Sequence, residues 1–416
     1  MLITRDSSLP PRLRMSTAPG AIVRRGGISR TIFIISLIIV GAASGATGYF
    51  INGLTHPAAP TITLNGAGST FVNPVISAIN ANYSRINNNI QINYQAVGSG
   101  AGITDLSHQT VDFGASDAPL NSGQISGLPG PALTIPDTIG AVAIAYNIPI
   151  NSTYSVHKGL HLNVTIAAEI FQGSSTGGGT GPLYWDDPAI LALNPSGSLG
   201  TGVVLPHQPI TVVHRFDSSG TTFVFTGWLN TSPVWKGGQT KSLGSSGWAN
   251  GALSSPGNQG VASTIQTVTF TIGYVELNYA LSATPPMSYA FVQNPNGGSS
   301  YIEPTLSSSA LAASSLPNLP TGDGNWTSVN LLNQNVAGAY PIVTFSYIMV
   351  FRELNVYGSA MTQARAQALV NYLWFVVHDG QNQAKILSFV ALTAPVVANA
   401  EATIRLITYN GSTLHS

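Results

Sequence analysis

The chain has no cysteine among its 416 residues. Disulfides, thiolate metal sites and a cysteine nucleophile are thereby excluded, as is a lipoprotein anchor, which needs a cysteine to carry the lipid. Charge is the second shortage. Charged side chains make up 7% of the sequence, against roughly 25% in ordinary soluble proteins. Fifteen basic and fifteen acidic residues cancel, so no basic face is available to neutralise a nucleic-acid backbone, and nucleic acid is not expected as a partner. What is present points elsewhere. Hydrophobic residues reach 44%, which disordered chains do not. The polar surface must be built from Ser, Thr, Asn, Gln and Gly. The length favours two lobes or domains over one compact unit. No repeat of fixed period is visible.

From Thr31 to Ile51, 21 residues run without a charge, close to the roughly 20 that a helix needs to cross a bilayer. Arg5, Arg12, Arg14, Arg24, Arg25 and Arg30 precede it. The positive-inside bias therefore leaves residues 1–30 in the cytoplasm and exports everything after Ile51. Retention as a single-pass anchor is favoured over cleavage near Ser44-Gly45-Ala46, because the apolar stretch exceeds a usual signal core; cleavage would give a secreted protein. Met15 as the true start would not alter this. Residues 52–61 read as a linker. Asn-x-Ser/Thr sequons begin at Asn82, Asn151, Asn163, Asn230, Asn325 and Asn410 and make the exported part a candidate glycoprotein. Glycans and few carboxylates suit an acidic exterior, since little folding stability then depends on ionised acids. A steep loss of folding at mildly acidic pH would contradict that.

In the exported part short β-like runs alternate with helical patterns. Strands are predicted at 62–68, 90–97, 110–116, 139–148 and 209–215, and helices at 74–86, 368–380 and 391–407. That alternation implies an α/β sheet built mainly from parallel strands. Gly/Ser-rich stretches at 173–181, 196–202, 244–260 and 294–300 read as surface insertions.

Three strand-to-helix turns share one composition: Gly66-Ala67-Gly68-Ser69-Thr70-Phe71, Gly98-Ser99-Gly100-Ala101-Gly102 and Asp217-Ser218-Ser219-Gly220-Thr221-Thr222. Small residues let the backbone approach a ligand, and free N–H groups at a helix start point towards an anion. Hydroxyls add donors without charge. Any one of these turns alone is ordinarily a helix cap; together they form a candidate oxyanion cradle. Arg215 stands four residues before Ser219, where its planar fork can engage two oxygens of one anion. Asp117 closes the run Asp112-Phe113-Gly114-Ala115-Ser116-Asp117. An ionised carboxylate only accepts hydrogen bonds, so it selects an anion that still carries a proton and repels sulfate. The structural alternative is an Asp117–Arg215 ion pair.

With these residues in place the chain resembles the phosphate-binding proteins of ABC-type phosphate importers. GAGSTF, YQAVGSGAGI, TVDFGASDAPL and VHRFDSSGTTFVFTGWL carry the resemblance, in order, over about residues 62–411. It implies a two-lobed, type II periplasmic-binding-protein-like α/β fold with hinge strands, here behind one N-terminal transmembrane helix, as in a membrane-anchored archaeal-style member. Lobe one would hold 62–140 and 345–411, lobe two 141–344, with 412–416 a tail. It also implies a phosphate held by Thr70 (backbone and hydroxyl), Phe71 (backbone N–H), Ser99, Asp117, Arg215, Ser219, Gly220 and Thr221, with Ser69 and Asp217 in support. Inorganic phosphate, permease subunits with a cytoplasmic ATPase, and the membrane are the implied partners of a monomer; no cofactor or metal is implied. Two features depart from the family pattern: a long, glycine-rich stretch between Phe171 and Leu205, and the missing lipid-bearing cysteine. The remaining alternatives are a binder of sulfate, molybdate or phosphonate, a purely structural surface protein, and a phosphatase using Ser69, Ser99 or Ser219 with His214 or His108 as base. No nucleophile-elbow spacing supports the last, and the chain is read as a non-enzyme.

Overall fold

The computed structural model describes residues 60–151, 155–172, 184–316 and 318–414. The apolar segment Thr31–Ile51 and the loop 173–181 lie outside these residues. Among the described residues no helix is long and apolar enough to cross a membrane.

The core is one curled sheet. Its first strands alternate with helices: β1 (Ile62–Gly68), α1 (Asn73–Ile86), β2 (Ile90–Gln95), α2 (Ser99–Ser107) and β3 (Phe113–Ser116). The 16-residue β4 (Ala132–Asn147) follows. Then come α3 (Val164–Gln172), β5 (Thr211–Arg215), α4 (Gly220–Leu229), β6 (Leu253–Ser255), α5 (Gly257–Thr267), β7 (Thr271–Glu276) and β8 (Ser288–Tyr289). The chain returns through β9 (Val343–Phe351) and ends with α6 (Gln363–Val377) and α7 (Ala394–Ile404). The strands lie in the order β2-β1-β3-β9-β4-β7-β5-β6, with β8 also paired to β4.

The expectation of a mainly parallel sheet needs correction. β1 runs parallel to β2 and β3, and β5 to β6 and β7. The central strands do not: β9 is antiparallel to β3 and β4, and β4 to β7 and β8. Side-chain alternation is the same in either direction, so the pattern along one strand cannot reveal its sense. β4 joins the two halves, pairing with β9 from Ala132 to Ala141 and with β7 from Val142 to Asn147. Each half with its helices makes one lobe of a two-lobed α/β, periplasmic-binding-protein-like fold.

Helices seat themselves by apolar faces. In α1, Pro74 occupies the first turn, where its missing N–H costs nothing. Val75, Ile76, Ile79 and Tyr83 then fall on one buried face. Tyr83 meets Tyr372 of α6 with ring centroids 5.5 Å apart. Burial of each such side chain contributes about 1.5–3 kcal/mol, so α1 is fixed rigidly behind the turn that precedes it. The stretch 244–260, read as a surface insertion, instead contains β6 and the start of α5; its small residues hid a strand-to-helix turn.

Candidate functional site

All three glycine-rich turns meet where the two halves of the sheet face each other. In the first, Ser69 Oγ donates to Asp117 Oδ1 at 2.6 Å and accepts the Phe71 N–H at 3.0 Å. The carbonyls of Ser69 and Thr70 accept from the hydroxyls of Tyr94 and Tyr279, each at 2.7 Å. Thr70 Oγ1 accepts from the backbone N–H and the side-chain Nδ2 of Asn258, at 3.1 and 3.0 Å. Both its lone pairs are thus engaged, and its own proton remains to be donated.

The second turn needs glycine. Gly98 has φ +99°, and a Cβ there would lie 2.4 Å from Asp217 Oδ2. That close approach brings α2 against the third turn: Gly100 N–H donates to the Ser218 carbonyl at 2.9 Å, and Gly220 N–H to Ser99 Oγ at 3.0 Å.

In the third turn, Arg215 at the end of β5 is 3% exposed. It forms a fork to Asp217, with Nε donating to Oδ1 at 2.7 Å and Nη2 to Oδ2. Asp217 Oδ1 also accepts the Gly257 N–H at 3.1 Å. Burial works against the ionised Asp217, yet the bonds and charge of Arg215 hold its carboxyl below the usual range. Arg215 Nη1 reaches Thr221 Oγ1 at 3.4 Å, and Asn258 Nδ2 reaches the same oxygen at 3.1 Å. Ser219 Oγ caps α4 by accepting the Thr222 N–H at 3.0 Å.

The electrostatics are set by burial. Asp117 is 2% exposed, and burial pushes its carboxyl up to about 7, against the pull of the Ser69 hydroxyl and the charge of Arg215. Lys241, whose Nζ donates to Gln124 Oε1 across the cleft at 3.2 Å, is pushed down to about 8 by burial, with Asp117 opposing. Hydroxyl and N–H donors and two cations thus surround the Asp117 carboxylate, while Asp217 is taken up by Arg215; this set suits a small, protonated oxyanion.

Ser69, Thr70, Ser99, Asp117, Arg215, Asp217, Gly220 and Thr221 therefore lie in one cluster. Phe71 is there too, with its ring buried against Phe389 at 5.9 Å and its N–H turned to Ser69. Ser219 serves as the cap of α4. Arg215 pairs with Asp217, so the alternative of an Asp117–Arg215 pair does not describe the site. His214 points to the other face of β5, stacked on Trp248 at 4.9 Å with Nδ1 at 2.8 Å from the Arg215 carbonyl. Among the described residues no group of acids and histidines could hold a metal. Sequence reasoning missed Asn258, Lys241, Tyr94 and Tyr279. The Gly-Asn at the head of α5 was the only available signal, and it sat in a stretch read as a loop.

The sequence profile of the PBP superfamily domain matches residues 54–379. A phosphate-binding protein PstS from Xylella fastidiosa is 34% identical over 84% of this chain and 88% of its own length. One from Methanocaldococcus jannaschii is 31% identical over 77% and 80%. Among solved structures, a phosphate-binding protein from Stenotrophomonas maltophilia matches with a TM-score of 0.60 at 17% identity, over 82% of this chain and 93% of its own. The protein with these two lobes and this cradle belongs to the PBP superfamily and, within it, to the PstS phosphate-binding-protein family.

Proposed function

We propose that the protein captures inorganic phosphate between its lobes, outside the cell, and delivers it to the permease of an ABC-type importer. The observation that carries this reading is Asp117: a buried acceptor set among donors discriminates for an anion that still bears a proton. Thr70, Phe71, Ser99, Asp117, Arg215, Ser219, Gly220 and Thr221 are the proposed ligand contacts, with Ser69 orienting Asp117 and Asp217 bracing Arg215. The lobes are taken as 62–140 with 345–411, and 141–344, in a type II arrangement. The crossing of β4 and β9 between halves supports these bounds. Because the cradle draws on both lobes, ligand favours the closed state. Catalysis is disfavoured: His214 is stacked away, and His108 stands at the far end of α2 from Ser99.

The anchor Thr31–Ile51 would tether the protein beside its importer, with the N-terminus cytoplasmic and the binding part extracellular. The sequon residues Asn151, Asn230, Asn325 and Asn410 are exposed, as glycan sites would need to be. The deciding experiment is calorimetric titration of the purified protein with phosphate and with sulfate. Phosphate should bind at least about a hundredfold tighter, equivalent to some 2.7 kcal/mol. Equal or tighter sulfate binding refutes the reading in favour of a general oxyanion binder.

A further inference from the structure

Behind Asp117, away from the three turns, lies a second buried acid. Asp137 is 2% exposed in the middle of β4. The pairing of β4 with β9 slips at this point: Ser346 faces Thr138 and Tyr347 faces Pro136, leaving Asp137 as the extra residue of a β-bulge. A bulge re-aims a side chain, and the Asp137 carboxyl lies within reach of the charge of Asp117. Ser346 Oγ is near enough to both acids to ease each, although it makes no hydrogen bond in this conformation. Asp137 Oδ1 likewise has no hydrogen-bond partner. A bare carboxylate oxygen sealed in a core is a costly arrangement unless the group is neutral.

The surroundings of the two acids differ. Asp117 receives the Ser69 hydroxyl at 2.6 Å and is faced by Arg215 from β5 and Lys241 from the cleft rim. Asp137 is acted on by burial, by the charge of Asp117, by Ser346 and by the backbone N–H groups of Asp137 and Thr138. The phenols of Tyr94, Tyr279, Tyr347 and Tyr372 also face the pair. Glu276, also fully buried, faces Asp117 and is bound by the Asn278 N–H at 2.9 and 3.0 Å. A charge between the two aspartates is thus far better compensated on Asp117.

We propose that Asp137 is a positioning residue for ligand recognition: it retains a proton, directed through Ser346 towards Asp117, so that the two acids carry one negative charge, lodged on Asp117 where the ligand's proton is accepted. This rests on the phosphate reading above. Ionisation of Asp137 places a second negative charge in the same dry pocket, repelling both Asp117 and the anion. Burial, with the charge of Asp117 added, raises Asp137 to about 8, above Asp117 at about 7, so Asp137 is the second of the two to lose its proton and the singly charged pair carries its charge on Asp117.

The test is phosphate affinity from pH 6 to 9 in wild type and in Asp137→Asn, whose amide copies a protonated carboxyl and cannot ionise. One unit above its pKa only about a tenth of an acid keeps its proton. The wild type should therefore lose about tenfold more affinity between pH 6 and 9 than the variant does. The ligand's own ionisation is common to both and cancels. Calorimetry in two buffers of different ionisation enthalpy should count extra proton uptake on binding at pH 8.5 in the wild type alone. Parallel pH profiles with equal proton counts would overturn the proposal while leaving phosphate binding intact. A wild type that binds no phosphate would instead overturn the functional reading. Should Asp137→Asn not fold, infrared spectra of 13C-aspartate-labelled Asp117→Asn protein at pH 7 decide the matter. A protonated aspartic-acid band is expected, and its absence sinks the idea.

Discussion

Replacing Gly220 with alanine adds one methyl group at the first residue of α4, where the two lobes touch. Gly220 is outside the left-handed backbone region, so alanine fits the local chain, and helix propensity favours it by up to about 1 kcal/mol. The obstacle is on the other lobe. The added Cβ would lie 2.5 Å from Asp117 Oδ2, 2.6 Å from Ser99 Oγ and 2.7 Å from the Asp117 nitrogen. Contacts of this kind settle near 3.5 Å, so the lobes must separate by about 1 Å at that point. Asp117 and Ser99 are held from behind by β3 and by the packed head of α2, which leaves little room to yield locally. The separation breaks the Gly220 N–H to Ser99 Oγ bond and lengthens every ligand contact supplied across the cleft. Loss of two charge-assisted hydrogen bonds at about 1.5–3 kcal/mol each weakens phosphate binding by at least about a hundredfold. Titration calorimetry gives the affinity, and a thermal melt without ligand gives the stability, which should stay within about 1 kcal/mol of wild type. A Gly220→Ala protein that binds phosphate within threefold of wild type would refute both the closed geometry and the placement of the ligand.

Asp117→Asn replaces an acceptor-only group with one that also donates. Phosphate affinity should fall about tenfold or more, and the phosphate-to-sulfate ratio measured by competition titration should shrink with it. Tyr274→Phe removes the hydroxyl that accepts the Arg215 N–H at 3.2 Å and pairs with Thr222 Oγ1 at 2.8 Å; chemical denaturation should register a loss of about 1–2 kcal/mol. The folded-state carboxyls of Asp117 and Asp137 lie above their unfolded values, at about 7 and about 8. The native state therefore binds more protons than the unfolded chain between pH 4 and 8, and stability falls as pH rises through that window. The melting temperature should be higher at pH 5 than at pH 8; a flat or reversed trend contradicts the buried acids described here.

Much of the site was legible because its chemistry is local. A glycine-rich turn followed by a hydroxyl and a helix announces itself in six residues, and Arg215 and Asp117 stood out in a chain with so few charges. What stayed hidden depends on distant segments. Asn258 bonds Thr70 across 188 residues of sequence, and nothing in its neighbourhood distinguishes it from a surface asparagine. The strand predicted at 139–148 is the second part of the 132–147 strand, because Pro136-Asp137 breaks the apolar run where the bulge lies. That interruption, which made the strand look shorter, is also what carries the second acid. Strand direction was unreadable for a different reason: it is decided by how β4 and β9 cross between lobes, which no period along one strand encodes.

The shared strand β4 bears on how the protein is put together. Its first ten residues complete one lobe's sheet and its last six the other's. Neither lobe owns a full set of backbone partners without it, so cutting the chain at the lobe boundary would leave two fragments with exposed strand edges, prone to associate. Assembly must bring residues from both ends of the chain to this one ribbon, which makes the lobes halves of a single folding unit.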